Sequence, residues 1–66
     1  MNIIVNGKNK AVTDGITAQQ LLEKLDLTEH KCAMEVNEVI IPRSEYMRYI
    51  LKAGDNVEII HAIGGG

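Results

Sequence analysis

The printed sequence closes on Gly64, Gly65 and Gly66, directly behind the apolar stretch Val57-Glu58-Ile59-Ile60. Glycine has no Cβ, so a glycine backbone enters channels too narrow for other residues and takes torsion angles they avoid. Three extended residues reach roughly 10 Å, at ~3.6 Å each at most. They would carry the α-carboxylate of Gly66 into another protein's active site while the folded part stays outside. A free carboxylate resists nucleophiles, because its leaving group would be oxide. As an acyl-adenylate it has AMP to expel, and a sulfur nucleophile would then leave a thiocarboxylate at the chain end. In such chemistry the chain is carrier and substrate, and its partners are the catalysts. Composition alone favours a frayed terminus or an engineered remnant for a glycine run of this kind. The strand that runs straight into it shifts the balance to the chemical reading.

The other chemistry-bearing residues read as structural. Cys32 is in phase with Met34 and Val36, and a buried cysteine behaves as a small hydrophobe. His61 lies on the last strand, with neither the partner nor the cleft that a general base needs, so it reads as a packing or interface histidine. Arg43, behind Pro42, suits a hydrogen bond to loop carbonyls or a surface ion pair better than a phosphate site. Cys32, His30 and His61 show no metal-ligand spacing, so no metal site is expected. Met34 and Met47 read as core filler.

Sixty-six residues make one small domain, which buries only ~60% of the surface its unfolded chain exposes. There is little room for a pocket that encloses a substrate. Seven Lys/Arg against nine Asp/Glu give a formal charge of −2. The cations are scattered singly and only Tyr46 and Tyr49 could stack on bases, so no nucleic-acid partner is expected. No apolar run is long enough for a membrane span or a signal peptide, so no membrane partner is expected either. A single cysteine excludes an internal disulfide and suits a reducing, cytoplasmic location.

These residues must be held by a few short elements. Asn6-Gly7 predicts a tight turn between two strands, with Ile3 and Val5 on one face and Ile4 on the other. Thr17 and Gln20 have capping-box spacing at the start of a helix whose stripe is Ala18, Leu21, Leu22 and Leu25. Residues 32–37 alternate, with Cys32, Met34 and Val36 facing one way. A short strand stops at Pro42, and Ser44 is placed to cap one helical turn. Gly54-Asp55 turns into the last strand, over 56–63. Its Val57, Ile59, His61 and Ile63 would share the core face. The first and last strands are the most apolar, so both are expected in the sheet centre, paired in parallel. The fold class is α+β, a roll of one main helix on a mixed four- to five-stranded sheet. One helix covers one face, so Ile60, Ala62 and Ile4 are expected on the open face as a partner interface.

The whole chain resembles the sulfur carrier proteins of thiamine biosynthesis, a ubiquitin-like β-grasp family. Four stretches carry the likeness: IIVNGK, ITAQQLLEKL, VNEVIIPRSEY and LKAGDNVEIIHAIGGG. Ile41-Pro42-Arg43-Ser44-Glu45 distinguishes this family from the small subunit of molybdopterin synthase, which also ends in Gly-Gly. Glu38 stands where glycine is common in a tight turn, and Tyr46 where tryptophan is common. The resemblance implies a β-grasp domain over 1–63 and a flexible tail over 64–66. It implies that an E1-like adenylyltransferase activates Gly66 with ATP and magnesium, which the partner uses and this chain does not bind. A cysteine desulfurase or other persulfide donor would supply sulfur, and thiazole synthase would accept it. Gly66 would be the modified residue, with Gly64 and Gly65 threading the channel. The chain itself would have no catalytic residue and would be a monomer when free. Two other classes stay open: a carrier serving another pathway, such as molybdopterin synthesis or tRNA thiolation, and a ubiquitin-like interaction module that is never activated. An enzyme in its own right finds no acid–base or nucleophile constellation in the sequence.

Overall fold

The computed structural model describes residues 1–28 and 31–61, with His61 described by its backbone alone. Asn6 and Gly7 take φ of 50° and 83° and turn β1 (Asn2–Val5) into β2 (Lys8–Ala11). Positive φ at both central residues gives the turn whose twist matches a hairpin. Ile3 and Val5 are buried and Ile4 faces the other way, as alternation requires.

Helix α1 (Ala18–Lys24) begins with every orphan amide satisfied. The N–H of Ala18 donates to the Tyr49 carbonyl and that of Gln19 to the Tyr46 carbonyl, each at 2.9 Å. The N–H of Gln20 donates to Thr17 Oγ1 at 3.1 Å, and the N–H of Leu21 to the Thr17 carbonyl at 2.9 Å. Gln20 Oε1 reaches back to accept from the Thr17 N–H at 2.9 Å, which completes the capping box. At the other end Asp26 is left-handed, with φ 60°. Its N–H donates to the Glu23 carbonyl, and that of Leu27 to the Leu22 carbonyl. This is a Schellman stop, formed without its usual glycine.

β3 (Cys32–Val36) and β4 (Val39–Ile41) form the second hairpin. Pro42 ends β4 and leads into a 3₁₀ turn, Arg43–Glu45. The turn starts two residues earlier than Ser44 would place it: its cap position is Pro42, with no side-chain hydrogen bond, and Ser44 lies inside it. Proline serves here because its fixed φ, −60° in this chain, already suits entry into a helical turn. Met47 is also not core: it is 80% exposed, whereas Met34 is fully buried. The backbone of this segment is held by its carbonyls on the helix start, so the Met47 side chain is free to face water.

β5 (Asn56–His61) completes a five-stranded sheet in the order β2-β1-β5-β3-β4. It runs parallel to β1 and antiparallel to β3. This is the β-grasp arrangement, with α1 packed on one face. Ile3, Leu21, Met34, Leu51 and Val57 are the largest fully buried side chains. Each such side chain contributes about 1.5–3 kcal/mol by leaving water.

Asn37 and Glu38 repeat the geometry of the first turn, with φ of 52° and 70°. Asparagine tolerates this region; glutamate does not, because its Cβ crowds the following carbonyl. Glu38→Gly should therefore stabilise the fold by roughly 0.5–1 kcal/mol, the strain relieved exceeding the added freedom of the unfolded chain. The expected reading is a melting temperature higher by about 3–6 °C. An unchanged or lower value would show that the turn carries no strain.

Candidate functional site

The last strand sits at the junction of the two hairpins, and its chemistry-bearing end lies beyond His61. Ala62, Gly64, Gly65 and Gly66 all fall outside the described residues, as do His30 and Ile63. What the structure places is the strand that leads to them.

β5 is held on both sides. Toward β3 the register runs from Val36 opposite Val57 to Cys32 opposite His61. Toward β1 it is short: Ile4 opposite Asn56 and Val5 opposite Val57. There β1 turns away, and the Asn6 side chain takes over the ladder. The Asn6 N–H donates to the Val57 carbonyl at 2.9 Å, and Asn6 Oδ1 accepts from the Ile59 N–H at 2.8 Å. One residue thus makes the turn and supplies the next rung, so β5 is fixed up to Ile59 although β1 has ended. The start of β5 is pinned as well. Asn37 Nδ2 donates to Asp55 Oδ1 at 3.0 Å, and Asn37 Oδ1 accepts from the Asn56 N–H at 3.0 Å.

Val57 and Ile59 lie under the helix, and Ile60 points away from it, 57% exposed. Ala33 stands opposite Ile60 on β3. Ile4 is on the same open face, 38% exposed, but level with Asn56. Ile60 is four residues further along β5, about 13 Å at ~3.3 Å per residue. The two belong to one face and to different parts of it.

Cys32 is buried, and its thiol lies 3.7 Å from the Leu27 carbonyl. Arg43 Nη2 donates to the Cys32 carbonyl at 3.0 Å, so the guanidinium ties the 3₁₀ turn to the start of β3. A surface cleft of about 340 Å³ is lined by Thr13, Asp14, Gly15, Ile16 and Gln20. That lining pairs no nucleophile with a base. Among the described residues no three His, Cys, Asp or Glu side chains gather as a metal site, and no helix is long and apolar enough to cross a membrane. Sequence reasoning missed the Asn6 latch. The only signal for it is an asparagine, with a side-chain acceptor, at the first position of the turn.

Comparison with known proteins places this arrangement. The model of the ThiS family matches residues 3–66. The sulfur carrier protein ThiS of Escherichia coli is 32% identical over 66 residues, covering all of both chains. A crystal structure of the thiamine biosynthesis protein ThiS from Geobacter metallireducens superposes with a TM-score of 0.83 at 31% identity, again over all of both chains. A thiazole synthase of Paramagnetospirillum magneticum is 35% identical over 66 residues; the whole of this chain spans 20% of that protein's length.

Asn6→Gly tests the latch, because glycine keeps the left-handed turn and removes the carboxamide. Without its acceptor the partly buried Ile59 N–H loses its partner, so stability should fall by about 1–2 kcal/mol. Hydrogen exchange at the Ile59 amide should accelerate more than at Met34. Equal protection of Ile59 in both proteins would mean that the Asn6 side chain does not hold β5.

Proposed function

Because the chain belongs to the ThiS family, we propose that it is a sulfur carrier of thiamine biosynthesis whose reactive group is the α-carboxylate of Gly66. The family match supports this reading because it runs to Gly66 and includes the glycines behind β5. The fold supplies a rigid body, and the tail supplies reach.

The chemistry follows from the carboxylate. One of its oxygens attacks the α-phosphate of ATP on an E1-like adenylyltransferase. A C–O–P linkage forms and pyrophosphate leaves, with magnesium on the enzyme balancing the phosphate charge. The outer sulfur of a cysteine persulfide, supplied by a desulfurase or another donor, then attacks the carbonyl carbon. A C–S bond forms as the C–O bond to AMP breaks. A thiol reduces the remaining S–S bond and leaves the thiocarboxylate. Thiazole synthase takes the sulfur; the name of the Paramagnetospirillum relative supports that partner. Gly64 and Gly65 thread the channel, and Ile60, Ala62 and Ile4 belong to the surface that meets the activating enzyme.

Intact mass tests the class. After incubation with the activating enzyme, ATP and a persulfide donor, the chain should gain the mass difference of sulfur for oxygen at Gly66. A chain of unchanged mass would mean an interaction module. Gly65→Val should fold normally and fail in ATP–pyrophosphate exchange, because a branched Cβ clashes where bare backbone must pass. Normal exchange by that variant would rule out a narrow channel.

Ile60→Glu separates docking from folding. A truncated apolar anchor at an interface typically costs ~1–3 kcal/mol, and a charge at least as much. The Michaelis constant for the carrier should rise roughly tenfold or more, while the melting temperature stays close to that of the parent. A collapse of melting with normal activation of the folded fraction would mean that Ile60 serves the core.

A further inference from the structure

We propose that the open face of the sheet is a docking surface for a protein partner that brings an arginine or lysine to Glu35 and Glu58, between the exposed side chains of Ile40 and Ile60. Glu35 and Glu58 are direct cross-strand partners in the antiparallel β3–β5 pair. Residues so placed have Cβ atoms ~4.5–5.5 Å apart, and like charges there destabilise a sheet. Folding gives no reason for the pair. The ion pairs among the described residues join the Met1 amino group to Asp14 and Arg48 to Glu45, and neither involves these two carboxylates.

The described strands place no compensating cation on the face. Lys8 and Lys10 of β2 stand opposite Val5 and Ile3, whose side chains point to the helix side. Among the described strand residues, those on the open face include no lysine or arginine. The charged row continues into apolar surface. Ile40 pairs with Glu35 from β4 and is 67% exposed, and Ile60 is one face position beyond Glu58. Two opposed carboxylates with apolar flanks match a partner that presents a cation within an apolar patch, arginine best of all, because its planar fork meets two carboxylates at once. Charge complementarity also selects against other occupants. A second copy docked through the same face would set carboxylates against carboxylates, and a nucleic acid would bring phosphate.

We take the partner to be the activating enzyme; that choice rests on the carrier reading above, whereas the acidic and apolar character of the face does not. The test is calorimetric titration of the activating enzyme, without ATP, at low and high salt. The titrants are the parent chain, the double variant Glu35→Gln/Glu58→Gln, and Glu23→Gln. Glu23 is exposed on α1, on the other side of the molecule, and its variant controls for net charge. The double variant should bind roughly tenfold more weakly and lose most of the salt dependence. It should also melt about 2–4 °C higher, because the repulsion is gone. Glu23→Gln should bind as the parent does. Equal binding by all three chains, absence of binding by the parent, or a lower melting temperature for the double variant would overturn the proposal. So would self-association of the parent that the double variant loses, which would make a second copy the occupant. Exchange assays separate the two readings. Normal exchange with a double variant of unchanged Michaelis constant sinks the docking surface and leaves the carrier. Glutamate-dependent binding without exchange sinks the carrier and leaves the docking surface.

Discussion

The architecture depends on one short parallel contact, between Ile4-Val5 and Asn56-Val57. A parallel pair cannot be closed by a tight turn; the chain between must cross over the sheet. Here the chain between them contains β2, α1, β3, β4 and the 3₁₀ turn. The helix has to come down on one face to bury Leu21 and Leu22 against Ile3, Met34 and Val57. Among the described residues nothing covers the opposite face. The side that packs and the side that is offered outward are thus decided by the same pairing. The pairing is brief because β1 ends at Val5, and the Asn6 carboxamide extends it by one rung.

This division of faces matches a protein that is acted upon. The reactive atom is proposed to lie at the end of a tail, so the body needs only to be recognised and to aim that tail. A body used in this way benefits from a stiff exit strand and a legible surface. β5 has neighbours on both sides, and its side chains alternate between the core and the open face. Every second residue therefore anchors the strand, while the residues between are available for recognition.

Local chemistry made much of the fold readable. Asn6-Gly7, the Thr17–Gln20 box and the alternation of Cys32, Met34 and Val36 each state a conformation within a few residues. What stayed hidden was non-local or contrary to propensity. The left-handed Asp26 goes against preference, whereas the resemblance marks Glu38 as a residue in a turn position where glycine is common. The turn is capped at Pro42 and not at Ser44, and the Tyr46 and Tyr49 carbonyls that follow it accept from the helix amides of a distant segment. The offset of Ile4 from Ile60 is a matter of register, and no turn sets the register of a parallel pair. The Asn6–Ile59 hydrogen bond links residues 53 positions apart, beyond any local pattern. Of the expected site, Ile4 and Ile60 are placed on the open face, and Ala62 and the glycines lie outside the described residues.

The sheet consists of two hairpins, β1–β2 and β3–β4, joined by β5 alone. Each hairpin closes locally and quickly, on the order of 1–10 μs. Their union waits for a strand that begins at Asn56, after most of the chain. Remove that strand and two isolated ribbons remain, each marginal in water. The order of assembly is therefore built into the order of the chain. A polypeptide that stops before Asn56 lacks the strand that joins the hairpins, and with it Glu58 and Ile60 of the proposed docking face. The same strand thus ties the two hairpins into one sheet and places Glu58 and Ile60 on its open face in a single step.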